Sequence, residues 1–172
     1  MAAIWIFSWC AGMIAVHLRE ELNPHHAITA VHKASAATIL FLVVVRIAWR
    51  LAHPAPPLPT SMSPLIQRVA HAGHLALYAV ALVALPVSGW MWSSVADKPI
   101  FVLGLFFLPP LVAPHPEFYD LAKWVHTLTA WTTGALVSGH IIVALKHHFI
   151  DRDGVMQTML PTTPRQSRRR QG

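Results

Sequence analysis

Four long stretches free of acidic residues, Ala2 to Leu18, Ala27 to Leu51, Val69 to Val95 and Trp124 to Leu145, dominate this sequence and restrict what it can fold into. Each is a continuous apolar run, unlike the alternation or one-sided stripe of a half-buried soluble element. A hydrocarbon core ~30 Å thick needs about 20 helical residues to cross it. Inside that layer no water pairs with backbone groups, so a crossing segment must satisfy them within itself, as a helix does. The expected fold class is therefore all-α, an integral membrane four-helix bundle. Composition agrees: 55% of the 172 residues are hydrophobic and 12% charged, about half the charge of a soluble domain.

The first run has seventeen residues, the short limit for a span. Nothing basic precedes it, so it reads as a span and not as a signal peptide, although Cys10-Ala11-Gly12 loosely resembles a cleavage site. The proline-rich stretch His53 to Pro64 cannot continue a helix. Pro86 falls inside the third run, where a kink is tolerated because neighbouring groups re-satisfy the freed carbonyl. Pro99 to Ala113 is apolar but short and carries Pro109-Pro110, which favours an interfacial segment over a fifth span. Two regions result: a transmembrane domain over 1–150 and a basic tail over 151–172, disordered at its end.

Four spans place both termini on one side. With the N-terminus inside, nine of the thirteen Lys and Arg residues fall on the inner side, among them Arg46, Arg50, Arg68, Lys146 and Arg152; Arg19, Lys33, Lys98 and Lys123 fall outside. The positive-inside rule then makes both termini cytoplasmic. The net charge of +6 owes much to Arg165, Arg168, Arg169 and Arg170. No aromatic residues interleave with them, so they point to anionic lipid and not to nucleic acid. The single cysteine, Cys10, excludes an internal disulfide and a multi-cysteine iron–sulfur site.

Twelve histidines are the chemical signature, because ionisable groups within a membrane are costly and usually functional. His25, His26, His53 and His115 lie in loops, and His17, His147 and His148 lie at span ends, where a solvated imidazole needs no further role. His32, His71, His74, His126 and His140 lie within spans. His126 and His140, fourteen residues apart, share a helix face and stand ~21 Å apart along the axis. His32 and His126 open their helices on the same side and match in depth. Imidazoles from two helices on opposite faces of a flat macrocycle give six-coordinate iron, suited to electron transfer. Zinc is less well served, since it wants three or four converging ligands and no acid lies in any span.

The stretches AVHKASAATILFLVVVRIAWRL (30–51), VAHAGHLALYAVALVALPVSGW (69–90), FLPPLVAP (107–114), WVHTLTAW (124–131) and GHIIVALKHHFIDRDGVMQTMLP (139–161) together resemble the bacterial cytochrome b561 family, which shares a fold with the b-type cytochrome subunits of nickel hydrogenases. The resemblance implies a protein of the bacterial cytoplasmic (inner) membrane with two b haems that exchange electrons with quinone. Carried over by position, His32 and His126 match the outer haem pair and His140 one inner ligand. The family's remaining inner ligand, in a His-Trp pair, is expected near Ala2, where this sequence reads MAAIWIFSW. A start codon assigned too far downstream, loss of the inner haem, or substitution by His74, with His71 behind it, are the three explanations.

The expected function is quinone-linked electron transfer by a stand-alone oxidoreductase, including one that oxidises superoxide at the outer face. The alternatives are a haem-bearing anchor subunit taking electrons from a redox partner protein and, in another class, a histidine-rich metal transporter. Lys33 and Arg46 are placed to pair with haem propionates, and His147, His148 and Asp151 to relay protons to an inner quinone.

Overall fold

A computed structural model describes residues 1–23, 25–53 and 64–151, so the tail beyond Asp151 and most of the proline-rich loop lie outside the described residues. The chain divides into two compact units, residues 1–133 and 134–172. The first holds α1 (Ala2–His17), the short α2 (Arg19–Leu22), α3 (Ala27–Ala52), and α4 (Pro64–Tyr78), which runs through a π-helical turn (Ala79–Ala84) into α5 (Leu85–Val95). A β-hairpin comes next, β1 (Ile100–Val102) with β2 (Phe106–Leu108), then a 3₁₀ turn (Pro116–Phe118) and α6 (Tyr119–Lys146), which passes into the second unit. There it ends in a second π-helical turn, His147–Asp151.

Among the described residues three helical segments are long and apolar enough to cross a membrane, Ala27–Ala52, His71–Val95 and Pro116–Ile150, and α1 is a shorter apolar helix. Their outward faces match a lipid surrounding: Val44, Val45, Leu75 and Ile142 each expose more than 60% of their surface. Contiguous apolar exposure on that scale would be an aggregation liability in water. Hydroxyls within the spans bond back onto their own helices. Thr38, Thr129 and Thr133 donate to the carbonyls of Ala34, Val125 and Thr129 at 2.8, 2.7 and 2.6 Å, which spares each an unpaired proton in hydrocarbon.

The π-helical turn is the local answer to Pro86. Leu85 N–H bonds to Val80 O, five residues back. In that register the N–H due at Ala81 O belongs to position 86, and proline has none. The carbonyl is buried with its residue, which is 6% exposed. Trp5 of α1 supplies the missing donor, its indole Nε1 reaching Ala81 O at 3.0 Å. The re-satisfied carbonyl expected at this proline thus depends on another helix.

The same helix is tied to α6. Trp9 Nε1 donates to Ala130 O at 3.2 Å, and its ring meets Trp131 edge-on at 6.1 Å. Asn23, almost fully buried, organises the entry to α3: its Oδ1 accepts from Ile28 N at 2.9 Å and its Nδ2 donates to Thr29 Oγ1 at 2.8 Å.

The apolar segment after α5 is a hairpin and not a helix. Its turn closes through Leu105 N to Val102 O at 2.9 Å, with Leu103 and Gly104 both at positive φ, the backbone twist that suits tight hairpins. Ile100 and Val102 bury against Ala37 of α3, flanked by Trp90 and Leu108. Phe106 meets Phe41 of α3 edge-on at 5.9 Å. Ser94 anchors the chain just past the hairpin, donating to Trp90 O and accepting from Leu111 N at 3.0 Å. Three inter-strand residue pairs satisfy the inward-facing backbone groups of this stretch, leaving both outer edges of the two-stranded hairpin unpaired by it, and the Pro109-Pro110 pair ends it.

Trp5→Phe keeps an aromatic ring beside Trp9, with which Trp5 stacks at 6.4 Å, and removes the donor to Ala81 O along with part of the indole's volume. It is expected to cost at least roughly 1–3 kcal/mol, the penalty for one unpaired buried carbonyl, with the lost packing adding to it. Reversible unfolding in mixed micelles measures it, and an unchanged midpoint would mean that the carbonyl finds another partner.

Candidate cofactor site

His32 of α3 and His126 of α6 face each other within the first unit, their ring centroids 6.3 Å apart and their planes inclined by 59°. The depth match read from the sequence is a spatial pair. Each ring is half-buried and pressed against a glycine of a neighbouring helix. A Cβ on Gly12 of α1 would lie 2.9 Å from Cε1 and Nδ1 of His32. One on Gly89 of α5 would lie 2.9 Å from Cε1 of His126. Neither glycine needs an unusual backbone; each is needed because nothing larger leaves room for the imidazole.

Hydrogen bonds determine which ring nitrogen is available. His32 Nδ1 lies 2.7 Å from the backbone carbonyl of Ser8, which can only accept, so Nδ1 carries the proton. His126 Nδ1 lies 3.0 Å from Ser88 Oγ. The single hydroxyl proton of Ser88 is donated to Leu85 O at 2.8 Å, so Ser88 Oγ accepts and His126 Nδ1 is again the donor. Both imidazoles are held in the tautomer with a lone pair on Nε2. That is the arrangement of metal-binding histidines, whose other nitrogen is tied to a carbonyl or similar acceptor.

The spacing also fits. Two imidazole nitrogens each about 2 Å from one metal ion, with ring centres roughly 1 Å behind them, put the centroids ~6 Å apart, against 6.3 Å here. Among the described residues no third His, Cys, Asp or Glu joins the pair. A two-ligand site suits a centre whose remaining ligands come from a macrocycle. An orphaned donor beside the pair agrees with this: Trp92 Nε1 is buried without a hydrogen-bond partner, and its ring lies 5.8 Å from that of His126 and 5.9 Å from that of Tyr119.

The other histidines sort differently. His71 and His74 sit on α4 with exposed side chains, and His140 is a half-buried residue of the second unit, on the same helix as His126. His17 meets Trp131 edge-on at 6.4 Å, His53 stacks on Trp49 at 4.0 Å, and His115 Nδ1 pairs with Glu117 Oε1 at 2.9 Å. Lys33 Nζ donates to Lys98 O at 3.1 Å. Arg46 donates to Tyr78 Oη at 3.2 Å and lies over its ring. His148 packs against Phe149 at 4.7 Å; the side chains of His147 and Asp151, its companions in the proton-relay reading, lie outside the described residues.

Reading the sequence for candidate ligands missed Ser8, Gly12, Ser88 and Gly89, which hold the two imidazole rings in place. Small residues in apolar helices mark close helix contacts, so Ser8-x-x-x-Gly12 and Ser88-Gly89 were available as a signal, although nothing in them specifies an imidazole as the neighbour.

Adding a Cβ at either glycine is expected to displace the ring. Gly12→Ala and Gly89→Ala should each lower the haem bound per chain by at least half while leaving the helical signal in far-ultraviolet circular dichroism intact. Pyridine haemochrome assay against protein content measures it, and full haem content in both variants would rule out the tight seat.

Comparison with known proteins supplies the wider frame. The pattern of the prokaryotic cytochrome b561 family matches residues 1–162. Cytochrome b561 homolog 2 of Escherichia coli (strain K12) is 39% identical over 162 residues, covering 93% of this chain and 85% of the relative. A protein of Yersinia pestis named probable superoxide oxidase CybB is 31% identical over 136 residues, 76% of this chain and 73% of its own. Cytochrome b561 homolog 1 of Escherichia coli (strain K12) is 33% identical over 88 residues, 51% of this chain and 49% of its own. With apolar helices around a seated histidine pair and a family match along nearly its whole length, the chain belongs to the prokaryotic cytochrome b561 family, membrane b-type cytochromes of the bacterial inner membrane.

Proposed function

We propose that His32 and His126 are the axial ligands of a b haem and that the protein passes electrons from a reductant at the hairpin end of the membrane to quinone. The observation that carries this reading is the pair itself: two facing imidazoles, each with Nδ1 committed and Nε2 available. A bound haem with two such ligands supplies one-electron chemistry without an open coordination position. The chain's own residues do the rest. Ser8 and Ser88 hold the ring orientations, Gly12 and Gly89 let the rings approach, and apolar side chains keep water away.

His140 is proposed as a ligand of a second, inner haem on the same helix, with His74 as its candidate partner. The first haem rests on a pair seen in contact; the second rests on family position. Both termini are proposed to face the cytoplasm, on the charge asymmetry of the loops.

For the electron acceptor, an open apolar groove of about 390 Å³ supports quinone. It is lined by Met91, Val95, Phe118, Leu121 and Val125, with Ser88 and His115 as polar members. Quinone sites combine an apolar wall with a few hydrogen-bonding groups in this way, and Ser88 joins the groove to His126. For the donor, the name of the Yersinia pestis relative favours superoxide. Lys33, next to His32 in sequence, extends its ammonium to the backbone carbonyl of Lys98, and a cationic group there would attract an anion. In the balanced reaction two superoxide anions each lose one electron and leave as dioxygen, while one quinone gains two electrons and two protons to become quinol. A haem-bearing anchor for a separate dehydrogenase keeps the same site and changes only the donor.

His32→Ala and His126→Ala are each expected to abolish the outer haem's bis-imidazole spectrum and superoxide-driven reduction of a short-chain quinone, leaving below about 1% of the unmutated rate. Stopped-flow mixing of purified protein with superoxide and quinone tests both parts. Retention of that spectrum in both variants would overturn the ligand assignment. Quinone that leaves reduced haem unoxidised would overturn the acceptor.

A further inference from the structure

Deep in the site, one polar group among the described residues has no counterpart in the polypeptide. Trp92 Nε1 is buried and unbonded, whereas Trp5, Trp9 and Trp90 each place the same atom on a backbone carbonyl, of Ala81, Ala130 and Pro109, at 3.0, 3.2 and 2.9 Å. Buried donors left unpaired are rare, and in hydrocarbon they are costlier still. The position of this one is informative. Trp92 lies three residues beyond Gly89 on α5, its ring 5.8 Å from that of His126 and inclined to it by 39°, with Tyr119 on another side at 5.9 Å. A haem ligated by His126 spreads sideways well beyond the imidazole, and it carries two acceptors, its propionate carboxylates. Carbonyls close to Trp92 along the chain are already engaged: Trp90 O accepts from Ser94, and Lys98 O accepts from Ser93 and Lys33.

We propose that Trp92 Nε1 donates a hydrogen bond to a propionate of the haem held by His32 and His126, which makes Trp92 a positioning residue for that haem and a determinant of its redox balance. This rests on the ligand assignment above and adds to it which edge of the macrocycle faces α5. Lys33 and Arg46 each hold one partner and keep further N–H donors, whereas the single indole N–H of Trp92 has no partner in the polypeptide. An indole donor partly neutralises the carboxylate without adding a full charge, so it favours ferrous iron less strongly than a lysine would.

Trp92→Phe keeps an aromatic ring against His126 and Tyr119 and removes the N–H together with part of the indole ring, which is why the unchanged bis-imidazole signal is read alongside the potential. In haem-loaded protein, redox titration should show the outer haem's equilibrium shifted a few-fold toward ferric iron, with the α band and the low-spin bis-imidazole electron paramagnetic resonance signal unchanged. Redox-difference infrared spectroscopy with haem labelled with ¹³C in its propionates should show the carboxylate stretch moving in the variant. An unchanged potential and an unmoved stretch would overturn the proposal and leave Trp92 bonded to ordered water or to nothing. Loss of the bis-imidazole signal in unmutated protein would instead overturn the ligand assignment. Should Trp92→Phe fail to accumulate, the same labelled stretch in unmutated protein decides: it must shift when the indole proton is exchanged for deuterium, and a stretch blind to the exchange counts against the bond.

Discussion

Hydrocarbon offers no water to a polar group, and this one constraint organises the whole protein. A carbonyl, a hydroxyl or an imidazole inside a bilayer has to find its partner within the chain or within what the chain binds. Thr38 of α3 and Thr129 and Thr133 of α6 resolve this locally, one turn back on their own helix. Ala81 O resolves it across helices through Trp5. His32 and His126 resolve half of it, giving up Nδ1 to Ser8 and Ser88, and each ring keeps a lone pair that iron can take. The cofactor site is thus the remainder of a pairing requirement that the rest of the fold has met.

Much of this was legible in the sequence because membrane burial is written in composition. The α3 span, the end of the third span at Val95 and the depth match of His32 with His126 all derive from apolar run length and position, which depend on few neighbours. The consequence of Pro86 was legible in kind, a carbonyl needing rescue, though not that Trp5 would be the rescuer. Contacts between helices far apart in sequence were the part that stayed hidden. Ser88 looks like any small residue in a span until α6 brings His126 beside it, and Gly12 looks like helix-packing material until α3 does the same. The hairpin was hidden for another reason: Ile100 to Leu108 is an unbroken apolar run, and only the left-handed turn at Leu103 and Gly104, invisible to run length, folds it back on itself.

Two histidines on one helix with different settings show how position divides labour. His126 sits in a contact made by α3, α5 and α6, whereas His140 stands further along α6 in the second unit. The serine and glycine pairs on α1 and α5 seat the rings of His32 and His126, whereas a haem at His140 is proposed on family position.

The bond from Trp5 to Ala81 also bears on how the protein is made. Helix α1 emerges from the ribosome before any of the others, and the carbonyl its indole serves belongs to a segment synthesised some seventy residues later. The bond can therefore form only once the third span has been made, so this contact between the first helix and the third comes late in the order of synthesis, and the first helix must still be within reach when it does.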